Sequence, residues 1–274
     1  MGSNSNHEIL ERIRSALEAA SRVLGRFTAG AIEAEYKAGH DPVTEADRCV
    51  DTILRKDLLR NGEGWLSEES VDDLARLEAS RVWVVDPLDG TREFVAGIPE
   101  FCVSIAMVQD GRPVAGGVCN PATNEIFLGS IDSGVSYQGK PAQVSRRASL
   151  SGASVLASRS EIKRGEWKQF DNAPFTIRPM GSVAYKLALV SAGLADATFT
   201  LLRSTNGMSR RGPLWWKAPE DSCVHWRTLC YAATINHRLF PVFLRADPTW
   251  TKNCLRSSTT TCQPPHADNS ASSP

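Results

Sequence analysis

The fold and the chemistry of this chain are indicated first by one stretch, Val82-Trp83-Val84-Val85-Asp86-Pro87-Leu88-Asp89-Gly90-Thr91-Arg92-Glu93-Phe94. Its first four residues are β-branched or aromatic and predict a buried strand. Pro87 predicts that this strand ends near residue 86 in a sharp bend, which would bring Asp86 and Asp89 together. Two like charges so placed disfavour each other's ionisation unless a cation lies between them, and carboxylate oxygens suit Mg²⁺ or Mn²⁺.

The turn after these carboxylates has two interpretations. Gly90 and Thr91 could turn backbone N–H groups and a hydroxyl toward a phosphate. Alternatively, the segment is an Asx-type turn that caps a short helix and has no ligand. This stretch alone supports the two interpretations about equally.

Two further acidic segments precede that stretch: Trp65-Leu66-Ser67-Glu68-Glu69-Ser70 and Asp41-Pro42-Val43-Thr44-Glu45-Ala46-Asp47. In the second, Thr44 as N-cap with Asp47 three residues later predicts the start of a helix. Asp47 could therefore serve only the first turn of that helix, where negative charge is favourable. Each segment has a structural explanation, but three in this order within about fifty residues are a more specific signal.

In this order the three segments resemble the inositol monophosphatase superfamily. Two short runs, Arg92-Glu93-Phe94 and Leu66-Ser67-Glu68-Glu69, are similar to its CysQ-like branch, the 3'(2'),5'-bisphosphate nucleotidases. A later pair, Gly181-Ser182-Val183-Ala184-Tyr185-Lys186-Leu187-Ala188 and Ala192-Gly193-Leu194-Ala195-Asp196, resembles the family's substrate-side helix. The resemblance covers roughly residues 8 to 201 and implies a five-layer αβαβα sandwich.

The resemblance also implies a role for individual residues. More than one Mg²⁺ ion, with Mn²⁺ as an alternative, would be held by Glu68, Asp86, Asp89 and the Leu88 carbonyl. The attacking water would be oriented by Asp47 and Thr91 together with Glu68. The backbone N–H groups of Gly90 and Thr91 would hold the phosphate, and Gly181 and Ser182 would face the substrate. Phosphoryl transfer needs positioning and charge neutralisation, so no Ser-His-Asp or Cys-His nucleophile is required.

The predicted function is therefore Mg²⁺-dependent hydrolysis of a small phosphate ester, first of all a 3'(2'),5'-bisphosphate nucleotide, with inositol 1-phosphate as the alternative. Cations for a second phosphate would come from Arg159, Lys163, Arg164 or Arg178, although a solvated surface explains these residues equally well. Lithium sensitivity is typical of the family. An alternative of another class is a catalytically impaired protein that binds a phosphate ligand.

Composition is compatible with this prediction. The chain has 274 residues, of which 42% are hydrophobic, and its net charge is zero, which does not favour binding to nucleic acid or membranes. It has neither an apolar segment of spanning length nor a secretory signal. Seven cysteines without paired CxxC spacing indicate a reducing compartment, so we expect a cytoplasmic protein. A homodimer would agree with the family resemblance.

Periodicity predicts an α+β fold that continues as α/β. Helices are expected at 7–27, 44–60 and 182–193, the last ending at Gly193. Strands are expected at about 82–86, 102–108, 113–120, 125–130, 134–137 and 153–158, with a hairpin turn at Asp110-Gly111-Arg112. We expect an N-terminal domain with the metal site at 1–150, the start of a C-terminal α/β domain at 151–203, and an aberrant tail at 204–274.

The tail differs in composition from the rest of the chain. Residues 201–274 hold nine Lys and Arg but four Asp and Glu, which makes them +5 and residues 1–200 correspondingly −5. They also lack the Glu-Trp-Asp motif that the family places after the Ala-Asp segment, whose aspartate is a further metal ligand.

A shifted reading frame would explain this difference. In the frame that starts at the third base of each codon, residues 205–220 permit the translation EWDVAAGAALVESAGG. We therefore hypothesise a frameshift between about Leu201 and Thr205. If so, the C-terminal layer is incomplete and this chain has weak activity or none.

Overall fold

The computed structural model describes residues 2–36, 42–72 and 74–199. The helices are α1 (Gly2–Leu24), α2 (Glu45–Leu58), α3 (Thr91–Val95), α4 (Arg159–Lys163) and α5 (Val183–Ser191), with 3₁₀ turns at Ala75–Glu78 and Glu166–Phe170. The strands are β1 (Glu35–Tyr36), β2 (Pro42–Val43), β3 (Glu63–Ser67), β4 (Arg81–Asp89), β5 (Cys102–Gln109), β6 (Arg112–Asn120), β7 (Glu125–Ser130), β8 (Gly134–Tyr137), β9 (Lys140–Ala142), β10 (Ser154–Ser158), β11 (Thr176–Met180) and β12 (Ala197–Thr198). Within these ranges, none of the helices has the length and apolar character needed to cross a bilayer.

Strands β3 to β9 form one seven-stranded sheet in chain order. Every pair in it is antiparallel except β3 and β4, which run parallel with Trp65 opposite Trp83. The β5–β6 hairpin turns at Asp110 and Gly111, whose φ angles of 49° and 74° suit a two-residue hairpin loop. The predicted hairpin is therefore confirmed.

The helices and sheets stack in five layers. Helices α1 and α2 cover one face of the large sheet, where Leu17 and Leu54 pack in the same cluster as Ile105. Helix α5 covers the other face and also contacts the smaller sheet through Leu156. On the far side of the smaller sheet, Val155 joins a cluster with residues of the second 3₁₀ turn. The order helix, sheet, helix, sheet, helix is the predicted αβαβα sandwich.

The smaller sheet is parallel and has the strand order β11-β10-β12. The smaller sheet separates two helical layers because side chains alternate along β10: Val155 faces one side of the sheet and Leu156 faces the other. This change from a mainly antiparallel to a parallel sheet agrees with the predicted α+β and α/β portions. The predicted tail at 204–274 lies outside the described residues.

The position of Pro87 predicts that strand β4 ends near residue 86, and this prediction is wrong. The strand continues to Asp89, and its pairing with β5 shifts between Asp86, which faces Ser104, and Asp89, which faces Cys102. Two residues of β4 therefore stand opposite one residue of β5, which is a β-bulge. Proline lacks an N–H to donate, and a bulge allows the strand to continue past it.

Other element boundaries also differ from the prediction. Strands β7 and β8 match it, but α1 begins before residue 7 and ends before residue 27. Six strands have no counterpart in the prediction: β1, β2, β3, β9, β11 and β12. Strand β11 contains Pro179 and is largely exposed, so it lacks the apolar signal of a buried strand.

Candidate active site

Asp86 and Asp89 are buried where the bulge bends β4, with 3% and 5% of their surface exposed. In a regular strand, two residues three positions apart point to opposite faces. The extra residue of a bulge shifts this alternation by one, so that such residues can point to the same face. The thiol of Cys102 responds to both carboxylates: burial raises its pKa, and the charges of Asp89 and Asp86 raise it further. The bulge therefore sets the register in which Asp86 lies opposite Ser104 and Asp89 lies opposite Cys102.

Each carboxylate also makes local hydrogen bonds. Asp86 Oδ1 accepts the Leu88 N–H at 3.2 Å, which is an Asx-type turn within the bulge. The sequence alternative of an Asx-type turn that caps the short helix is not what the structure has, because the N-cap of α3 is Gly90 and no side chain caps it. Asp89 Oδ2 accepts the Ser182 hydroxyl at 2.8 Å and the Ala184 N–H at 2.6 Å. Because Ser182 is the N-cap of α5, these bonds join the start of that helix directly to the end of β4.

Asp47 uses its two carboxylate oxygens for different purposes. Oδ2 accepts the Thr44 N–H at 2.8 Å and the Thr44 hydroxyl at 2.6 Å, which completes the capping box of α2. Oδ1 lies 3.1 Å from the hydroxyl of Thr91, which is also 2.9 Å from the Leu88 carbonyl. The structural and the functional interpretations of Asp47 are therefore compatible, because each needs one oxygen.

The environment of Asp47 makes its carboxyl group a better proton acceptor than usual. Burial raises its pKa, and the hydrogen bonds from Thr44 and Thr91 only partly oppose this effect. Only 1% of the residue is exposed. A carboxylate so placed can accept a proton from a group that Thr91 helps to orient.

Glu68 lies on the loop that follows β3, and its residue is exposed. The same loop is tied to α2, because the hydroxyls of Ser67 and Ser70 each donate to Asp51 at 2.5 Å. Over the described ranges, no three His, Cys, Asp or Glu side chains are grouped closely enough to hold a metal ion. The ligand set that includes Glu68 therefore stays a prediction.

Gly90 and Gly181 occupy positions that leave no room for a side chain. Gly90 is the N-cap of α3 with a φ of 99°, and a Cβ there would come within 2.9 Å of the Glu100 carbonyl oxygen. A Cβ on Gly181 would overlap the side chain of Glu93. Both predicted glycines thus bring backbone close to neighbouring groups, at the start of α3 and just before α5.

Glu100 links these two regions, although sequence reasoning did not single it out. Its carboxylate accepts the Gly181 N–H at 2.7 Å and two hydrogen bonds from the Arg159 guanidinium at 2.5 Å each. Nearby, burial raises the pKa of Glu93, as do the charges of Asp89 and Glu100. No local sequence signal relates Glu100 to Arg159, because 59 positions separate them.

The oxygen donors present are chemically suited to Mg²⁺. Asp86 and Asp89 offer buried carboxylates, and the Leu88 carbonyl lies between them in the chain. All three are hard oxygen ligands. Two neighbouring buried carboxylates are unfavourable unless a cation or a proton compensates their charge. On donor chemistry, the residues at the end of β4 fit a divalent cation.

The comparisons with known proteins agree with this fold. The model of the inositol monophosphatase family matches residues 5–205. The chain belongs to the inositol monophosphatase family. All the predicted site residues lie inside the matched range, and the match ends where the composition of the chain changes.

Several members of the inositol monophosphatase family are similar to this chain. The Rhizobium meliloti inositol-1-monophosphatase is 33% identical over 174 residues, which cover 60% of this chain and 65% of that protein. The Nus factor SuhB of Escherichia coli K12 is 29% identical over 200 residues, covering 69% and 74%. This chain thus spans less than two thirds of the length of the Rhizobium protein.

Solved structures support the fold. The SuhB protein of Bartonella henselae aligns with a TM-score of 0.61 at 30% identity, covering 70% of this chain and 77% of that one. The Thermotoga maritima IMPase aligns with a TM-score of 0.60 at 30% identity, covering 68% and 74%. The predicted superfamily and sandwich are therefore confirmed, whereas these relatives do not carry the name of the bisphosphate nucleotidase branch.

Proposed function

We propose that this protein is a Mg²⁺-dependent phosphomonoesterase that hydrolyses a small phosphate ester. The observation that carries this proposal is the pair of buried carboxylates at the β4 bulge, Asp86 and Asp89, beside the Thr91–Asp47 hydrogen bond. Family membership supports the same reaction class. A cytoplasmic location, a homodimer and inhibition by lithium belong to this proposal.

Asp86, Asp89, the Leu88 carbonyl and Glu68 would hold the Mg²⁺ ions. When bound, these ions neutralise charge on the phosphate oxygens and make water a stronger nucleophile at neutral pH. The backbone N–H groups of Gly90 and Thr91, at the start of α3, would hold the phosphate. Asn substitution at Asp86 keeps the shape of the side chain but removes its charge, so it tests this assignment directly.

Thr91 would orient the attacking water, and Asp47 would accept its proton. The Thr91 hydroxyl has one proton and two acceptors within reach, the Leu88 carbonyl and Asp47 Oδ1. When it donates to Asp47, its lone pairs can accept a hydrogen bond from water and so orient it. Asp47 is then the final acceptor, a role that its raised pKa favours.

The first turn of α5 would contact the substrate beyond the phosphate. Ser182 and Gly181 lie at its start, beside Asp89 and Glu93 respectively. Ser182 accepts the Tyr185 N–H at 3.0 Å and donates to Asp89, so its hydroxyl is held in one orientation. This rigidity suits a small ligand that must be placed accurately over the metal site.

The identity of the ester is a finer part of the proposal. A 3'(2'),5'-bisphosphate nucleotide is supported by the run Arg92-Glu93-Phe94, whereas inositol 1-phosphate is supported by the names of the relatives. Two of the cations considered for a second phosphate already bind carboxylates, Arg159 with Glu100 and Arg164 with Glu166. We therefore propose testing both esters with equal weight.

The test is phosphate release from 3'-phosphoadenosine 5'-phosphate and from inositol 1-phosphate, with and without Mg²⁺. We expect slow, Mg²⁺-dependent turnover of at least one ester, because a frameshift would leave the site one metal ligand short, and we expect Asp86→Asn to abolish this turnover. Asp57→Asn is a matched control, because Asp57 is an exposed aspartate of α2 far along the helix from Asp47. Ligand binding without turnover would instead identify a binding protein and contradict the proposal.

A further inference from the structure

The loop that carries Glu68 is fixed by a chain of hydrogen bonds centred on Asp51. Ser67 donates its hydroxyl to Asp51 Oδ1 and accepts the Glu69 N–H at 3.3 Å. Ser70 donates to Asp51 Oδ2 and accepts the Trp65 indole N–H at 3.3 Å. Each hydroxyl therefore acts as donor and acceptor at once, so both serines have a defined orientation.

These bonds enclose Glu68 on both sides along the chain. Ser67 ends β3 in a buried position, and Ser70 is half-buried two residues after Glu68. The backbone from 67 to 70 is thus attached to α2 at its two ends, while Glu68 between them is exposed. A loop held at two points restricts the positions that the side chain between them can reach.

Asp51 lies one helical turn after Asp47 in α2. Residues four positions apart are neighbours on one helix face, so both aspartates project from the same side. Asp47 contacts Thr91 next to β4, and Asp51 contacts the loop after β3. One face of α2 therefore sets the positions of two separate parts of the proposed site.

We infer that Asp51 is a positioning residue, which presents Glu68 to the metal by holding Ser67 and Ser70. The inference rests on the proposed function, because it gives Asp51 a role only if Glu68 binds metal. In this role Asp51 would not touch the metal or the ester, because each of its carboxylate oxygens accepts a serine hydroxyl. Residues that orient metal ligands typically change metal affinity by 10–100-fold when they are replaced.

The experiment measures Mn²⁺ binding to the full chain by the electron paramagnetic resonance signal of free Mn²⁺. We expect Asp51→Ala to raise the Mn²⁺ Kd by about 10-fold or more. Asp51→Asn can still accept one of the two serine hydrogen bonds, so its effect should be smaller. Asp57→Ala removes a carboxylate from the same helix without touching the loop, and it should leave the Kd unchanged.

Two further measurements separate positioning from general stability. Amide hydrogen exchange should become faster at residues 67–70 in Asp51→Ala, while α1 and β5 keep their protection. If Asp51→Ala fails to fold, the double variant Ser67→Ala with Ser70→Ala tests the same contacts and should raise the Kd similarly. A loss of melting temperature with an unchanged Kd would show a purely structural role and overturn the inference.

The failure of the inference can be distinguished from failure of the proposed function. If wild-type protein binds Mn²⁺, Asp86→Asn abolishes binding and Asp51→Ala binds within twofold of wild type, the inference is wrong and the metal site stands. If the wild-type chain does not bind Mn²⁺ at millimolar concentration, the role of Asp51 and the proposed metal-dependent function are both wrong. A raised Kd in Asp51→Ala and in the serine double variant, with Asp57→Ala unchanged, supports both.

Discussion

At the scale of single residues, the sequence predicts chemistry best where a local motif has a geometric requirement. The pair Thr44 and Asp47 predicts a capping box, and the structure contains it. The same pattern does not show that the second oxygen of Asp47 lies near Thr91, because that contact spans 44 positions and depends on how α2 packs on β4. Local signals therefore identify the candidate residues, and packing decides their partners.

Gly90 allows a prediction at this scale. Its φ of 99° is unfavourable for residues with a Cβ, and a Cβ would also approach the Glu100 carbonyl oxygen and the Phe101 Cα. We expect Gly90→Ala to lower the free energy of unfolding by about 3 kcal/mol, of which about 1–2 kcal/mol comes from the backbone conformation and the rest from the overlap. Urea denaturation followed by circular dichroism measures this difference.

Gly111→Ala is the matched control for that prediction. Gly111 also has a positive φ, 74°, but a Cβ there would meet nothing within 4 Å. Gly111→Ala should therefore lower the free energy of unfolding only by the backbone contribution, about 1–2 kcal/mol. Equal losses in the two variants would show that the close approach at Gly90 contributes nothing.

At the scale of secondary-structure elements, Glu63 joins four of them. Its carboxylate accepts two hydrogen bonds from Arg12 of α1, at 2.9 and 2.7 Å, and one from the indole of Trp83 in β4 at 2.8 Å. Arg12 also donates to the Leu58 carbonyl at the end of α2. The Arg12 guanidinium lies 4.9 Å from the centre of the Trp83 ring, an arrangement that adds a cation–π attraction.

This cluster predicts how stability depends on pH. Burial alone would raise the pKa of Glu63, but the hydrogen bonds from Arg12 and Trp83 and the charge of Arg12 outweigh it and lower the pKa. Its contribution to stability is therefore present above the unfolded-state pKa, about 4.3, and is lost as the pH falls through the lower folded-state value. Glu63→Gln should lower the free energy of unfolding by about 3 kcal/mol at pH 7. The difference in this free energy between the variant and the wild type should shrink toward pH 3.

Glu35→Gln is the control for the Glu63 prediction. Glu35 pairs with Arg48, but half or more of each side chain is exposed, so solvent screens the interaction. Urea titrations at several pH values should give a free energy of unfolding for Glu35→Gln that stays close to the wild-type value. A Glu63→Gln penalty that is constant from pH 7 to pH 3 would contradict the role given to the Glu63 charge.

The elements that the sequence predicts share a strong burial pattern. Asn124, which has a positive φ, directly precedes β7, and Gly134, which also has a positive φ, is the first residue of β8; the predicted limits of both strands are confirmed. Strand β3 was not predicted, although its Trp65 packs in the main core. Its five residues include Gly64, which lacks strand propensity but is required because a Cβ would overlap Arg76. Tertiary packing thus selects a residue that local preference would reject.

At the scale of the whole molecule, the five layers follow from the pattern of apolar faces. The connection between the two sheets depends on contacts between distant residues, such as Glu100 with Arg159 and Asp89 with Ser182. Such contacts join residues far apart in the chain, so no local pattern predicts them. The sequence pattern therefore predicts the long helices and most strands of the large sheet, and the family resemblance implies the five layers, whereas the way the layers meet at the site has to be observed.

The composition change near residue 201 leads to a prediction for the whole chain. The family match ends at residue 205, and the family's Glu-Trp-Asp motif is absent from the frame as translated. If a frameshift caused this, the coding DNA read from the third base of each codon after about Leu201 must spell Glu-Trp-Asp. Codons that cannot encode those three residues in that frame would rule out the hypothesis.

A protein with the restored reading frame tests the functional consequence. Its Glu-Trp-Asp aspartate would add an oxygen ligand to the set from Glu68, Asp86 and Asp89, and an additional carboxylate strengthens the binding of Mg²⁺. We expect Mg²⁺-dependent phosphate release to exceed that of the present chain by more than about 10-fold. Asn in place of the restored aspartate is the control and should remove most of the gain, because only the ligand is lost while the restored segment remains. Equal rates for the present and the restored chains would show that residues 1–200 already hold everything the reaction needs.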